Sequence, residues 1–319
     1  MLRNRNDFIL LSGRANPALS EKIARILKLS LDHPISFFVD GEIRIRITPN
    51  LRRKHVFIIQ PTSSPVNDNI MGLVLLIDAA KRASAQEIIA VVPYFGYSRQ
   101  DRKEMSRVPI SSSVVAGMLE HAGVDHVLTL DIHSEQEEGF IRKPWDNVYA
   151  SYSLVPEIKK RKLKDLIIAS PDKGGVMRAT GYARLLGAEG IAIVYKERDV
   201  TVNNRSESLE MVGDVKGKNV LIVDDILDTG GTLVNAANFL KKRGAKTIRA
   251  AITHGLFSGD AIERVDQSEI KEVIITDSVA IPSQVIRSRK ITVVSVAPLL
   301  AEAIRRIYTG ESISRGLIL

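Results

Sequence analysis

Short apolar runs without polar alternation are the feature that most constrains how this chain can fold. Runs such as VFII at residues 56–59 and LIIA at residues 166–169 place apolar side chains on both faces of any strand they form. Strands of this kind are typical of parallel sheets that are covered by helices on both sides. Helical patterns separate many of the runs, so we predict a doubly wound α/β fold with central parallel sheets flanked by helices. Ligands bind such folds at the carboxyl ends of the strands.

The pattern gives bounds for the individual elements. Strands are predicted at residues 8–11, 56–59, 87–92, 126–130, 166–169, 191–195, 219–223, 247–252, 272–275 and 291–294. Helices are predicted at residues 68–83, 110–121, 174–186 and 231–242. One more helix is expected to end near Leu27, with Asn16 as its cap and Pro17 at its first position, because these residue types favour those positions.

The length of the chain predicts two domains. It has 319 residues, and a typical domain contains about 100–200 residues. Polar residues and prolines interrupt the pattern near residues 146–156, so we place an N-terminal domain at 1–150 and a C-terminal domain at 151–305. A C-terminal helix at about 306–319 is expected to pack back on the first domain. Both halves repeat the alternation of strand and helix, which makes a duplicated domain plausible.

Composition excludes several classes of protein. The chain has no cysteine, which rules out disulfides, cysteine-based metal sites and thiol nucleophiles. No apolar run approaches the about 18–20 residues that span a bilayer, and no leader pattern is visible, so a cytoplasmic protein without a membrane partner is expected. The net charge of +8 indicates an anionic partner of unspecified kind. Nucleic acid is not expected, because aromatic residues are only 5% of the chain and do not alternate with the basic ones.

The strongest motif is the segment VLIVDDILDTGGT at residues 220–232. An apolar strand delivers Asp224 and Asp225, and a turn with two adjacent glycines then leads into a helix. Glycines let the backbone curl around an anion, and the helix adds its N-terminal dipole. Thr229 and Thr232 add hydroxyl donors. We therefore interpret residues 228–232 as a phosphate cradle, preceded by acids that suit ribose hydroxyls or Mg²⁺.

Five further segments carry chemistry less clearly. Residues 38–42 (FVDGE) also suit a polar turn, and residues 97–103 (YSRQDRK) also suit a solvated charged loop. Asp131 and His133 close a predicted strand, where they either share a metal or leave the histidine hydrogen-bonded in the core. Residues 170–175 (SPDKGG) join a strand to a helix through glycines, and residues 196–198 (KER) precede a polar stretch that we predict to be a mobile loop.

The cradle resembles the phosphoribosyl diphosphate loop of type I phosphoribosyltransferases. Together with the segments at 38–42, 97–103, 130–133, 170–175 and 196–198, in this order, it resembles the ribose-phosphate pyrophosphokinase family over nearly the whole chain. The resemblance implies two duplicated phosphoribosyltransferase-like domains. It also implies transfer of the diphosphate of ATP to the C1 hydroxyl of ribose 5-phosphate, Mg²⁺ as cofactor, and a homo-oligomer, a hexamer built from dimers.

The resemblance also implies a role for each matching residue. The ATP-binding residues would be Phe38, Asp40, Glu42, Arg99, Gln100, Asp101 and His133. The ribose 5-phosphate residues would be Arg198, Asp224, Asp225, Asp228, Thr229, Gly230, Gly231 and Thr232. The diphosphate loop would be Asp172, Lys173, Gly174 and Gly175, and the metal ligands would be His133, Asp172 and Asp131. Lys196 would be the principal catalytic cation and Arg198 a second one.

Some positions depart from the family pattern. Many relatives carry a small apolar residue where Lys173 stands, and residues 48–54 replace a pattern common in phosphate-activated members, which leaves allosteric control open. Two other functions stay open at this level. One is a phosphoribosyltransferase that consumes phosphoribosyl diphosphate, and the other is a non-catalytic regulatory homologue.

Overall fold

The computed structural model describes residues 7–198 and 207–314, with the side chains of 196–198 and 207–208 outside the description. The chain groups into two compact units. The first unit runs to Ala150 and includes Ser278–Ala280 and the chain from Ser295 onward. The second unit comprises Ser151–Asp277 and Ile281–Val294. The predicted domain bounds stay a prediction.

The first unit is built on a parallel sheet of six strands in its described part, in the order β2-β1-β5-β6-β7-β8. Its strands are β1 (Phe8–Ser12), β2 (Leu31–Asp32), β5 (His55–Ile59), β6 (Glu87–Val92), β7 (His126–Leu130) and β8 (Trp145–Val148). A separate antiparallel hairpin pairs β3 (Ile35–Phe37) with β4 (Ile43–Ile45). The helices are α1 (Pro17–Leu27), α2 (Val66–Arg82), α3 (Ser111–Ala122) and α9 (Ala297–Thr309). Leu73 of α2 and Leu119 of α3 are buried in the core above the sheet.

The second unit contains a seven-stranded sheet in the order β11-β10-β9-β12-β13-β14-β15. Its strands are β9 (Leu166–Ser170), β10 (Gly190–Arg198), β11 (Glu207–Val212), β12 (Asn219–Leu227), β13 (Thr247–Gly255), β14 (Glu272–Thr276) and β15 (Ile291–Val294). The helices are α4 (Ser151–Lys159), α5 (Val176–Leu186), α6 (Gly231–Lys242), α7 (Ala261–Gln267) and α8 (Ser283–Arg287). Every pair in this sheet is parallel except β10 with β11.

The two sheets share one topology. In each sheet the second parallel strand lies beside the first on one side, and the later parallel strands follow in chain order on the other; the antiparallel β11 is added beyond β10 in the second sheet. The predicted α/β class with parallel sheets flanked by helices is therefore confirmed, and the repeated order is what a duplicated unit would give. Among the described residues, no helix is long and apolar enough to cross a membrane.

Several predicted bounds need adjustment. Helix α1 begins at Pro17 as expected, because the Asn16 side chain accepts a hydrogen bond from the backbone N–H of Leu19 at 3.2 Å. The strand predicted at 219–223 instead continues to Leu227, since its pairing with β13 extends to Gly255. The polar stretch predicted to be a loop contributes β11, whose Met211 pairs with Val194. The rest of that stretch, residues 199–206, lies outside the described residues. The helix predicted at about 306–319 is wrong in its bounds, because α9 begins at Ala297 and ends at Thr309, where Gly310 takes φ 71°. Residues 315–319 lie outside the described residues.

Candidate active site

The paired carboxylates of the second unit lie on strand β12 itself. Asp224 is aligned with Ile252 of the neighbouring β13, and Asp225 follows it directly. The backbone N–H of Asp225 donates to the Asp224 side chain at 2.9 Å. Two acids are thus held within one residue of each other at the carboxyl end of the sheet, where ligands bind in folds of this class.

Arg178 balances this acidic pair. It lies in the first turn of α5, and its Nη1 is 3.2 Å from Asp225 Oδ1 and 3.5 Å from Asp224 Oδ1. Asp225 is almost completely buried, with 6% of its side chain exposed. Burial and the charge of Asp225 raise the pKa of Asp224 well above its ordinary value, while Arg178 acts in the opposite direction. The positive charge of Arg178 therefore compensates the negative charge of the acid pair on strand β12.

The predicted cradle forms a tight turn between β12 and α6. Gly230 has φ 78°, in the left-handed region that favours glycine, and its carbonyl accepts from the N–H of Val234 at 2.9 Å. The carbonyl of Asp228 accepts from Ser258 N–H at 3.0 Å, which ties the turn to the segment after β13. Thr229 and Thr232 are exposed. The open N–H groups of a helix start and two accessible hydroxyls are what an anion-binding turn requires.

A basic side chain lies beside this turn. A Cβ atom placed on Gly231 would be 3.8 Å from Nη1 of Arg264, a residue of α7. A larger residue at position 231 would therefore grow toward the guanidinium. The space at Gly231 is thus bordered by a cation as well as by the helix N-terminus.

The glycine loop after β9 is held by its own side chains. Asp172 Oδ1 accepts from Gly175 N–H at 3.0 Å, and Ser170 Oγ donates to the Asp172 carbonyl at 2.7 Å. A Cβ atom on Gly175 would come within 2.5 Å of Ser170 Oγ, so a larger residue here would displace that hydroxyl. Lys173 Nζ lies 4.8 Å from the ring centroid of Tyr195 on the adjacent strand β10. The loop has a defined shape with both charges at its tip.

Lys196 and Arg198 lie in the last part of β10. Their backbones pair with Leu209 and Glu207 of β11 in an antiparallel ladder. Their side chains lie outside the described residues, so the predicted catalytic roles stay predictions.

In the first unit, the predicted nucleotide residues 38–42 form the tip of the hairpin between β3 and β4. Phe38 N–H donates to the Glu42 carbonyl at 2.9 Å, and Glu42 N–H donates to Asp40 Oδ1 at 3.1 Å. Gly41 has φ 94°, a conformation that side chains disfavour. Phe38, Asp40 and Glu42 are all exposed, which leaves the tip available to a ligand.

The segment at 97–103 follows strand β6 through a buried loop. Tyr97 adopts φ 68° before a single 3-10 turn, Ser98–Gln100, in which Ser98 is buried. Arg99 and Gln100 are exposed, and Gln100 Oε1 accepts from Ser111 Oγ at 2.6 Å. The turn is thus anchored at its base and tied to the start of α3.

Asp131 and His133 end up in different environments although they are two residues apart. Asp131 is 5% exposed and has φ 41°, with its N–H donating to the Val148 carbonyl at 2.9 Å. His133 is exposed. The sharp turn between them is supported by Asn147, whose Oδ1 accepts from Ile132 N–H at 3.0 Å. The imidazole is therefore the accessible member of the pair.

A buried carboxyl group lies beneath this region. Glu137 is fully buried, accepts from the backbone N–H of Ser134 at 3.3 Å, and is hydrogen-bonded to Ser112 of α3. Burial raises the pKa of Glu137 to about 7 against these hydrogen bonds, with the charge of Asp101 raising it further and that of His133 lowering it. The charges of two predicted nucleotide-binding residues, Asp101 and His133, therefore shift the pKa of one buried acid in opposite directions.

The donor atoms fit a magnesium ion that is held mainly by substrate phosphates. Within the described residues, no group of three or more His, Asp or Glu side chains is placed to hold a metal. Mg²⁺ commonly keeps several waters and binds through one or two carboxylates plus phosphate oxygens. Asp131, His133 and Asp172 offer single donors of that kind, and the imidazole is the least expected of the three.

Comparison with known proteins assigns the chain to a family. Residues 8–123 match the model described as the N-terminal domain of ribose phosphate pyrophosphokinase, and residues 194–317 match the phosphoribosyl synthetase-associated domain. A protein named ribose-phosphate pyrophosphokinase from Vibrio cholerae is 48% identical over 97% of this chain and 98% of its own. The chain belongs to the ribose-phosphate pyrophosphokinase family.

Other family members agree with this assignment. A ribose-phosphate pyrophosphokinase from Ralstonia nicotianae is 46% identical over 96% of each chain. The crystal structure of phosphoribosylpyrophosphate synthetase from Mycobacterium smegmatis superimposes with a TM-score of 0.89 at 36% identity, over 95% of this chain and 99% of that one. The resemblance to the family that the ordered motifs indicated is confirmed.

Sequence reasoning missed three residues at these sites. Arg178 and Arg264 approach the acid pair and the cradle from helices, and Glu137 lies under the first-unit segments. The position of Arg178, in the first helical turn after two glycines, was a usable signal, because that turn lies at the ligand end of the sheet. No local pattern marks Arg264, and burial alone distinguishes Glu137 from the other acids around it.

Proposed function

We propose that the chain is a ribose-phosphate diphosphokinase that converts ATP and ribose 5-phosphate into 5-phosphoribosyl 1-diphosphate and AMP, for nucleotide biosynthesis. The observation that carries the proposal is the acid pair and cradle on one strand–turn–helix unit, β12 to α6, in a chain of this family. The turn supplies hydrogen-bond donors for the phosphate of a sugar phosphate, and the acid pair on β12 supplies acceptors for its ribose hydroxyls.

The residues of the second unit are assigned to the sugar. The 5-phosphate is bound by the turn, at Asp228, Thr229, Gly230, Gly231 and Thr232. Asp224 and Asp225 accept hydrogen bonds from the ribose hydroxyls. Arg178 keeps this pair from repelling the anionic substrate, because it offsets the acid charge at 3.2 Å. The sugar is thereby fixed at both ends.

The reaction joins the C1 oxygen of the sugar to the β-phosphorus of ATP and breaks the bond between that phosphorus and the oxygen bridging to the α-phosphate. AMP leaves with the bridging oxygen, and the C1 hydroxyl loses its proton. Phosphoryl chemistry of this kind depends on positioning and on positive charge near the developing negative charge. Lys196 supplies that charge, and Arg198 adds a second cation and holds ribose 5-phosphate. The 172–175 loop binds the transferred diphosphate.

The first-unit residues are assigned to the nucleotide. Arg99 can bind phosphate oxygens with two parallel hydrogen bonds, Gln100 can bind base or ribose, and the exposed hairpin tip contributes Phe38, Asp40 and Glu42. Asp101 and His133 complete the set, with His133, Asp131 and Asp172 available to Mg²⁺. A bound magnesium ion would neutralise charge on the triphosphate.

Three further properties are proposed, the first on the family resemblance and the other two on the composition of the chain. The chain forms a homo-oligomer, a hexamer built from dimers, acts in the cytoplasm, and has no nucleic-acid or membrane partner. Sedimentation velocity would measure the oligomeric state, and cell fractionation would show the compartment that contains the protein. A monomer in sedimentation would reject the first of these.

The activity is tested by incubating the protein with ATP, Mg²⁺ and ribose 5-phosphate and following the products by ³¹P NMR. One AMP and one diphosphorylated sugar should form for each ATP consumed. ADP as the product, or no turnover, would reject the proposal. A parallel reaction with phosphoribosyl diphosphate and a nucleobase tests the transferase alternative, which would release free diphosphate.

A further inference from the structure

One cation at the second-unit site is held by an aromatic ring. Lys173 Nζ lies 4.8 Å from the ring centroid of Tyr195, within the roughly 6 Å at which a cation is attracted to a ring face. Lys173 belongs to the loop after β9, and Tyr195 lies on β10. The two strands are parallel neighbours, with Ser170 aligned to Ile193, so the contact spans their carboxyl ends.

A lysine at the tip of an exposed loop is ordinarily free to sample many rotamers. Contact with the ring of Tyr195 favours those rotamers of Lys173 that keep its ammonium near the carboxyl end of β10. A cation–π contact at an exposed site favours the bound arrangement by about two- to fivefold. The ammonium is therefore partly organised before any ligand arrives.

The neighbouring acid explains why a held cation is useful here. Asp172 would repel a diphosphate, yet its Oδ1 is engaged by the N–H of Gly175 at 3.0 Å and shapes the loop. Lys173 offsets that charge from the adjacent position. A loop with Asp172 alone would present a net negative charge to an anionic ligand.

We propose that Tyr195 is a positioning residue that holds the Lys173 ammonium at the 170–175 loop, where it binds the diphosphate group transferred from ATP. The inference rests on the proposed function, because it assumes that this loop takes the diphosphate. Lys173 is the group that touches the ligand, and Tyr195 acts through it.

A test must separate two ways in which Tyr195 could affect activity, because Tyr195 contacts Lys173 and also directly precedes Lys196. Replacing Tyr195 could disturb Lys196 through the backbone, independently of Lys173. A double-mutant cycle separates the two routes, since an effect of Tyr195 that passes through Lys173 must vanish once Lys173 is gone. Tyr195→Phe keeps the ring and serves as the matched control.

The experiment measures steady-state kinetics of the full-length protein with MgATP and ribose 5-phosphate for K173A, K173R, Y195L, Y195F and the K173A/Y195L pair. K173A should lower kcat/KM for MgATP about tenfold, as expected for loss of a charge-assisted hydrogen bond, with KM for ribose 5-phosphate unchanged. K173R should restore most of the loss. Y195L should lower kcat/KM about two- to fivefold, and Y195F should match the wild type. The double variant should equal K173A.

The outcomes distinguish this inference from the function on which it rests. A wild-type protein that forms no AMP rejects the proposed function. An active wild type whose K173A variant keeps its kcat/KM rejects only the role of Lys173. If Y195L lowers activity as much on the K173A background as alone, or if Y195F loses as much as Y195L, the positioning role is rejected. Thermal melting of each variant identifies any that fail to fold, and if K173A is one of them, K173Q carries the test of charge.

Discussion

Arg178 Nη1 and Asp225 Oδ1 lie 3.2 Å apart, joining the first turn of α5 to the carboxyl end of strand β12. The same guanidinium nitrogen lies 3.5 Å from Asp224. One arginine therefore compensates two adjacent carboxylates, both of which the proposed mechanism places on the ribose. Substrate binding and the folding of this end of the sheet should consequently depend on the same side chain.

Replacement of Arg178 by alanine should lower both stability and affinity for the sugar phosphate. A buried acid that loses its partner destabilises a fold by several kcal/mol, and the partial exposure of Arg178 reduces the expected cost to about 2–3 kcal/mol. KM for ribose 5-phosphate should rise at least about tenfold, since a charge-assisted network is lost. Urea unfolding and initial-rate kinetics measure the two effects. Arg184→Ala, on the exposed face of the same helix, is the control, and equal behaviour of the two variants would contradict the assignment.

Gly230 tests the cradle because a second glycine offers the same backbone geometry elsewhere. Gly230 has φ 78° and Gly217 has φ 72°, and a Cβ atom would meet no close contact at either. Alanine at each position should lower the free energy of unfolding by about 1–2 kcal/mol, because a residue with a Cβ atom disfavours the left-handed conformation. Only Gly230→Ala should also raise KM for ribose 5-phosphate, because it alone shifts the N–H groups of the turn. A similar rise in Gly217→Ala would show that the effect is general strain.

Lys196→Ala tests the proposed catalytic cation. A preorganised donor to the charge that develops in the transition state is worth at least about 10²-fold in kcat. The loss should appear in kcat with little change in KM for ribose 5-phosphate. Single-turnover measurement of AMP formation isolates the chemical step, with the exposed Lys216→Ala as the control. A near-normal single-turnover rate would remove Lys196 from this role.

Arg99→Ala should weaken nucleotide binding selectively. Loss of an arginine–phosphate contact raises KM for MgATP at least about tenfold, as for other charge-assisted hydrogen bonds. KM for ribose 5-phosphate should not change, because that substrate is assigned to the second unit. Arg82→Ala, at an exposed position of α2, removes the same charge elsewhere. An equal change in both Michaelis constants would argue against a nucleotide role for Arg99.

Glu137 should make the stability of the protein depend on pH. Its pKa is raised from 4.5 to about 7, so the folded chain keeps a proton that the unfolded chain releases near its ordinary value. This group's contribution to the free energy of unfolding should therefore fall as pH rises from about 4.5 to about 7 and stay constant above. At about 1.4 kcal/mol per pKa unit, the change is at most about 3.5 kcal/mol.

The difference between Glu137→Gln and the wild type isolates this group from others that titrate in the same range. Urea unfolding at several pH values between 5 and 8 should show the variant gaining stability relative to the wild type as pH rises. Parallel profiles would show that Glu137 does not hold its proton in the folded state.

Much of the fold could be predicted from the sequence, because short segments of the chain specify individual strands and helices. Helix α6 was predicted at its observed bounds, Gly231–Lys242, and strands β6 and β7 likewise, because uninterrupted apolar runs and glycine boundaries specify them. Strand β12 was predicted too short, since Asp224 and Asp225 interrupt the apolar run. Only its pairing with β13 shows that the backbone stays extended through them.

The candidate site likewise has some features that the sequence predicts and others that depend on the tertiary structure. The motif order in the sequence determined the family and predicted the phosphate turn and the acidic pair, because glycines, hydroxyls and carboxylates carry that chemistry wherever the backbone places them. Only the tertiary structure decided that Arg178 compensates the acids, that Lys173 contacts the ring of Tyr195, and that Glu137 is buried within the influence of Asp101 and His133. The physical reason is that charge compensation and burial depend on distances between elements far apart in the chain. No periodicity along the sequence records those distances.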